Sequence, residues 1–258
     1  MVEGFDLQFD GAIATLILNR PSRKNALTQA MWLGLPGLLA EVLASHAKVL
    51  VVRGAGDAFA AGADISEFET VYATTESSAA YFAAVAAAMS ALAAFPNPTI
   101  AQIDGACIGG GMGLALCCDL RLASDRSRLG ITPGKLGLMY SLADTKRLID
   151  AVGPSRAKDI LYTGRILGVA EAVAIGLVDA VIPATGLEAA VREKADQIAA
   201  ASQHSARASK AIISRILAGQ AADDAETDRW MVEAVAGPDF QEGRNAFLAK
   251  RPPQFPVK

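Results

Sequence analysis

The 258-residue chain is poor in metal ligands and thiols, with two histidines and three cysteines. Cys107 stands alone and Cys117 and Cys118 are adjacent, an odd set that makes a poor disulfide framework and fits a reducing compartment. So few thiols and imidazoles do not supply a zinc cluster, and no metal is expected. His46 falls near the end of one predicted helix and His204 near the start of another, and both read as structural. There is no Lys/Arg block and the net charge is −3, which argues against nucleic acid or an anionic membrane as partner. The first ten residues carry acids and no basic-then-apolar pattern, so no signal peptide is expected. Long apolar runs are also scarce. Ala79 to Phe95 is nearly free of polar groups, but its bulky residues fall at Phe82, Val85, Met89 and Leu92. That spacing makes one stripe, and alanine gains little from lipid, so a soluble amphipathic helix is expected rather than a membrane span. A cytoplasmic protein with no membrane or nucleic-acid partner follows from these absences.

Familiar nucleotide and hydrolase motifs are absent too. Gly54 and Gly56 are followed by Phe59, and Gly111 and Gly113 by Leu116, where a dinucleotide fingerprint needs glycine. No G-K-[ST] phosphate loop occurs. Neither does a G-x-S-x-G elbow, nor a histidine placed to serve one.

What is present is an alternation of strand-like and helix-like segments. Phe5 to Phe9 and Ala12 to Leu18 read as strands joined at Asp10-Gly11, a hairpin signal. Thr28 is the N-cap of a helix to about Ser45, although Gly34, Pro36 and Gly37 lie inside it. Lys48 to Arg53, Pro98 to Ile103 and Asp119 to Ala123 read as further strands, and Ile65 to Phe68 as a short helical piece. Ser127 to Leu148 reads as irregular. Beyond Pro154 helices dominate: Glu188 to Ala200, Ser205 to Leu217, Asp223 to Val235 and Pro238 to about Lys250, with Gly176 to Pro183 as a last strand-like insertion. The expected class is α/β with a helical C-terminal part.

Two loops of small residues stand out: Gly54 to Asp64, and Asp104 to Gly113 between a strand and the helical run Leu114 to Cys118. Glycines there let the backbone come close to a ligand and present free N–H groups near a helix N-terminus. Two such donors aimed at one carbonyl oxygen stabilise negative charge on it. Spacing alone leaves a second reading open, in which the glycines serve only close packing.

Several segments carry a family resemblance. Leu18-Asn19-Arg20-Pro21 with Lys24-Asn25-Ala26-Leu27, Ala58 to Ile65, and Gly105 to Gly111 resemble the enoyl-CoA hydratase/isomerase (crotonase) superfamily. So do Tyr162-Thr163-Gly164-Arg165, Ala170-Glu171-Ala172, Gly176-Leu177-Val178 and Phe240-Gln241-Glu242-Gly243 with Phe247. The motifs run in order over nearly the whole chain. The resemblance implies a crotonase-like spiral of ββα units over residues 1–190 and a helical trimerisation region over 191–258. It implies an acyl-CoA thioester as ligand, with coenzyme A as part of the substrate and no prosthetic group, and a homotrimer or dimer of trimers. It places the two oxyanion-hole amides on Ala63 and Gly110. Coenzyme contacts fall on Arg23, Lys24, Ala26 and Leu27, on Ala61, Ala63, Asp64 and Ile65, and on Gly110. Ser66 stands where a lysine often follows in hydratases, which puts one phosphate contact in doubt. Phe247 and Lys250 match residues that reach a coenzyme A, that of a neighbouring subunit; a core aromatic and a solvated lysine remain the other reading.

The match fails where water is handled. The two glutamates of the family's hydratases fall on Gly113 and Pro133, which have no acid–base chemistry. Isomerases that use the second glutamate are disfavoured by Pro133, and the aspartate of dienoyl-CoA isomerases falls near Ser141. Thr132-Pro133, Leu136-Gly137-Leu138 and Tyr140-Ser141-Leu142 instead resemble the methylmalonyl-CoA decarboxylase branch, which puts Tyr140 at the acyl end of the site, although that branch can carry histidine at the position of Ala63. Tyr140 as core filler is the alternative. Asp144 is a candidate proton donor, or a partner of Lys146 or Arg147. Asp64 and Glu67 read as loop and helix-start residues.

Overall fold

The computed structural model describes residues 2–256; Met1, Val257 and Lys258, the outermost residues of the two expected divisions, lie outside it. A hairpin opens the chain. β1 (Phe5–Asp10) and β2 (Ile13–Leu18) pair antiparallel through a two-residue turn with Gly11 at φ 58°. From there the chain alternates between two sheets. The first has the order β1-β2-β3-β5-β7-β10, with β3 Val49–Gly54, β5 Thr99–Ile103, β7 Leu120–Ser124 and β10 Ala180–Ile182. The second is β4-β6-β8-β9, with β4 Ala58–Ala60, β6 Ala106–Ile108, β8 Arg128–Gly130 and β9 Ile166–Gly168. Successive pairs β3/β4, β5/β6 and β7/β8 therefore each place one strand in either sheet and then turn into a helix, a spiral of ββα units.

Residue alternation follows the two faces of the first sheet. Ala14, Leu16, Leu18, Leu50 and Val52 point into the large core with the helices, while Ile13, Val49, Val51, Ile100 and Leu122 point to the opposite face. Helix α7 (Leu187–Ala200) covers that face with Leu187, Val191 and Ala195.

Helix α1 (Gln29–Ala44) forms despite Pro36, which removes one backbone hydrogen bond. Thr28 caps it, its side chain accepting from the Met31 N–H, and Met31, Trp32, Leu35, Leu38, Leu39 and Val42 bury one face. Packing of that face overrides propensity. α2 is the single turn Phe68–Val71, and α3 (Thr75–Ala93) starts with a capping box of Thr74 and Ser77, four residues before the Ala79 expected. By length and composition α3 is long and apolar enough to cross a membrane, yet Tyr81, Ala84, Ala88, Met89 and Leu92 share the core with α1 and with α4 (Gly110–Cys117). Of the expected stripe, Met89 and Leu92 are buried and Val85 packs against the core, while Phe82 is half exposed and Tyr81 is inside in its place.

The remaining helices are α5 (Leu142–Thr163, broken at Gly153 with φ 76°), α6 (Val169–Ala174), α8 (Gln203–Leu217), α9 (Ala225–Ala236) and α10 (Pro238–Leu248). The stretch expected to be irregular holds β8, a 3-10 turn at Pro133–Leu136 and the start of α5. The strand that leads into α4 is the short β6, not the predicted strand that became β5.

Candidate active site

The loop after β2 is built around Asn25, which is fully buried. Its Oδ1 accepts the Arg20 N–H at 2.9 Å, and its Nδ2 donates to the carbonyls of Ala55 at 2.8 Å and Ala58 at 2.7 Å. Lys24 and Asn25 are both left-handed, at φ 48° and 56°, a conformation asparagine tolerates better than most residues. One side chain thus joins the loop after β2 to the loop before β4. Gly54 is bare because a Cβ there would stand 2.0 Å from the Ala58 carbonyl oxygen and 2.6 Å from Asn25 Nδ2.

Residues 24–27 then run alongside 61–64. Ala61 N–H donates to Lys24 O, Leu27 N–H to Gly62 O and Asp64 N–H to Leu27 O, at 2.9, 2.8 and 2.9 Å. Leu27 and Ala63 form a parallel bridge in which Leu27 uses both of its backbone groups. In such a pairing the N–H of Ala63 faces away from Leu27. On that far side lies the turn into α4. A Cβ on Gly62 would sit 3.1 Å from Ile108 O and 3.6 Å from the Gly110 nitrogen. Gly110 is the first residue of α4, so its N–H has no acceptor within the helix. Gly62 is therefore a close contact between the segment that carries Ala63 and the start of α4 at Gly110.

Gly110, Gly111 and Gly113 have spatial reasons, and Gly109 a backbone one. A Cβ on Gly110 would meet the Trp32 ring at 3.2 Å, and one on Gly111 would meet Ala60 O at 2.5 Å and Ala60 Cβ at 2.7 Å. Gly109 holds φ 53° and ψ −119°, and its N–H donates to Gly130 O at 2.8 Å. A Cβ on Gly113 would stand 2.7 Å from Met89 Cε and 3.7 Å from Tyr140 Oη.

Charged groups brace this arrangement. Asp64, almost wholly buried, pairs with Arg20 at 2.8 Å, and the same Arg20 nitrogen holds the Ala26 carbonyl at 2.6 Å. The Ser66 hydroxyl and N–H both donate to Asp64, at 2.7 and 3.1 Å. The Ser66 hydroxyl is the first cause, with Arg20 behind it, of an Asp64 carboxyl held below its ordinary range against the opposing effect of burial. Glu67 accepts the Gln29 N–H at 2.7 Å and so caps α1. Both acids serve geometry, as the sequence suggested.

Tyr140 donates from its hydroxyl to the Gly109 carbonyl, so the phenol is tied to the donor loop. Burial pushes its pKa well above the usual tyrosine range, and the nearby Asp144 adds to this. Asp144 itself is bound by Arg147 at 2.8 Å and by the Ser141 hydroxyl at 2.6 Å, the partnership expected with Arg147; Lys146 pairs with Asp150 instead. Arg23 and Lys24 are exposed at the edge of the loop, Ala26 and Leu27 are buried, and Ile65 is exposed. Phe247 and Lys250 lie exposed at the end of α10, which packs on α9. Among the described residues no hydrogen bond or ion pair joins either of them to the loops. No group of three or more His, Cys, Asp or Glu among the described residues is placed to hold a metal.

Sequence reasoning passed over two braces, Arg20 and Asn25, both inside recognised motifs; a cation and an amide just past an apolar strand end were the available signal.

The two-sheet spiral and the loops that close on Gly62 define a crotonase-type protein. Comparison with known proteins agrees. Residues 8–258 match the family described as enoyl-CoA hydratase/isomerase. A crotonyl-CoA hydratase of Syntrophomonas wolfei is 34 % identical over 263 residues, 98 % of each chain. The crystal structure of an enoyl-CoA hydratase/isomerase family protein from Hyphomonas neptunium superposes with a TM-score of 0.96 at 44 % identity, covering 99 % of this chain and 98 % of that one. An enoyl-CoA hydratase/carnitine racemase from Magnetospirillum magneticum gives 0.95 at 37 % identity, over 100 % and 97 %. The chain belongs to the enoyl-CoA hydratase/isomerase family, and is an enzyme of that family.

Proposed function

We propose that this enzyme processes an acyl-CoA thioester through an enolate whose oxygen is held by the backbone N–H groups of Ala63 and Gly110. The observation that supports the reading is the Leu27–Ala63 bridge, which leaves the Ala63 N–H on the side away from Leu27, next to Gly62, where an added Cβ would lie 3.6 Å from the Gly110 nitrogen. Each donor contributes about 3 kcal/mol to such a transition state. The dipole of α4 adds to the field at Gly110. Coenzyme A lies along 23–27 and 61–66, its phosphates near the exposed cations Arg23 and Lys24 and its adenine near Ala61.

Gly113 and Pro133 supply no carboxylate for holding and splitting water, so crotonyl-CoA hydration is expected to be weak or absent. A hydration assay with turnover comparable to enzymes bearing two glutamates would overturn this. The same lack favours a second reading, decarboxylation of a malonyl-type thioester. There the bond to the leaving carboxylate breaks, its electron pair forms the enolate, and water protonates carbon, so no base is needed to start. Asp144, bound to Arg147, is poorly suited to donate that proton. Release of carbon dioxide from methylmalonyl-CoA tests this reading, and its absence removes it. Thioester binding without turnover over a substrate panel would mark a non-catalytic binder.

Self-association as a trimer or pair of trimers fits the apolar side chains left exposed on α8 to α10, among them Ile213, Ile216, Met231, Val232, Phe247 and Leu248. Light scattering measures it. Phe247 and Lys250 then serve a neighbour's coenzyme A. A cytoplasmic location fits three buried, reduced cysteines.

A further inference from the structure

We infer that Tyr140 is a positioning residue of this site: by donating to the Gly109 carbonyl it fixes and polarises the Gly109–Gly110 peptide, so that the Gly110 N–H is aimed and strengthened as a donor. This rests on the reading of Gly110 as a thioester donor.

The run Gly109-Gly110-Gly111 gives close approach at a cost in definition. A peptide unit flanked by residues without Cβ turns over easily, since sterics that select one orientation elsewhere are missing. Gly109 shows that freedom, at φ 53° and ψ −119°. Something other than the glycines must choose which way this peptide points. The peptide is planar and trans, so the Gly109 oxygen and the Gly110 hydrogen lie on opposite sides of it. Holding the oxygen aims the hydrogen.

Two donors hold that oxygen. One is the Gly113 N–H at 3.0 Å, the first bond of α4. The other is the Tyr140 hydroxyl, brought from 31 residues away. The phenol takes the lone pair that the helix leaves over. A donor on the carbonyl also draws charge through the amide, strengthening its N–H by about 10–30 %.

The surroundings suit this role. Burial keeps the phenol protonated, and therefore a donor, across the working pH range. Ser141 caps α5, its side chain accepting from the Asp144 N–H, and this fixes the residue next to Tyr140, whose other neighbour Met139 is 87 % exposed. Gly113, whose N–H shares the Gly109 oxygen with the phenol, lies beside it: an added Cβ there would stand 3.7 Å from Oη, at ordinary contact distance.

The test uses the full-length protein and 4-(dimethylamino)cinnamoyl-CoA, whose absorption moves to the red as its thioester carbonyl is polarised. Wild-type protein shows a red shift on binding. Tyr140→Phe, which keeps the ring, binds within about threefold, since the remote coenzyme contacts are unchanged. It loses at least the share that polarisation supplies, about 10–30 % of the red shift. Replacement of Tyr140 by 3-fluorotyrosine, a stronger donor of nearly the same shape, increases the shift. A Tyr140→Phe protein with wild-type affinity and the full wild-type shift overturns the inference and leaves the proposed function standing. Should Tyr140→Phe fail to fold, the fluorotyrosine protein decides: a shift unchanged from wild type overturns the inference. A wild-type protein that binds the probe with no shift, or does not bind it, overturns the proposed function, and this inference with it.

Discussion

Replacing Asp64 by asparagine isolates the clamp that holds the Ala63 segment. The side chain keeps its shape and an oxygen for Ser66, but loses the charge that faces Arg20 at 2.8 Å. Asp64 is 8 % and Arg20 25 % exposed, so the pair lies between the surface and the interior. Fully buried pairs cost 3–5 kcal/mol to break and exposed ones less than 1, which puts this loss at about 2 kcal/mol. For a chain of this size that is a fall of about 4–8 °C in melting temperature, read at fixed protein concentration. The pH dependence gives an independent check. The folded-state pKa of Asp64 lies below its unfolded value, so its contribution is complete above the ordinary carboxylate range and disappears as pH falls through the folded value. The gap between wild type and Asp64→Asn is therefore full at about pH 7 and closes below about pH 4. Amide exchange in peptides covering 61–66 speeds up in the variant. A variant that melts with wild type at neutral pH, with unchanged exchange over 61–66, would refute the clamp.

Two glycine substitutions are expected to act with opposite sign. Gly111→Ala drives a methyl against the Ala60 carbonyl, which cannot move without β4, and costs about 3 kcal/mol in denaturant unfolding. Gly37→Ala, on the exposed face of α1 with nothing within 4 Å, stabilises by about 0.5–1 kcal/mol. Gly113→Glu is accommodated by rotation of the Met89 tip at about 1–2 kcal/mol, but gains no crotonyl-CoA hydration because Pro133 supplies no partner carboxylate; measurable hydration by the single variant would contradict this. The C-terminal tail is held by Glu242, which accepts from Arg251 and from the Gln254 N–H, while Phe255 packs at Gly243. Those bonds bring the Glu242 pKa down to about 2, so the tail stays docked above the ordinary glutamate range and is released as pH falls toward 2. Glu242→Gln releases it at neutral pH, seen as faster proteolysis at Arg251.

Long elements could be read from the chain because their signals are local. The hairpin at Asp10-Gly11, the Thr28 cap of α1 and the late helices rest on turn and cap chemistry within a few residues. The second sheet could not. Its strands Ala58–Ala60, Ala106–Ile108, Arg128–Gly130 and Ile166–Gly168 are three residues each, too short for any periodicity, and exist by pairing with one another. The alanine-rich α3 was found with Met89 and Leu92 inward, but with so few bulky residues its first turns were read with Phe82 in place of Tyr81. Ala63 and Gly110 are proposed as donors on family resemblance, because a backbone donor leaves no side-chain signature in a sequence.

The elements that escaped the sequence are the ones that lead to Ala63 and Gly110, the proposed donors. β4 runs toward Ala63 and β6 toward Gly110, and their pairing brings the two loops level. Side chains then fix what the short strands leave loose. Asn25 bonds the carbonyls on both sides of Asp57, Arg20 holds Asp64 beside Ala63, and Tyr140 holds the peptide before Gly110. None of the three needs to touch a reacting atom. On the proposed function, such a site separates two tasks: backbone geometry would stabilise the enolate, while any proton transfer needs side chains at other positions. On that reading, glycine at 113 and proline at 133 leave the donor loops in place and withhold only the carboxylates that would handle water.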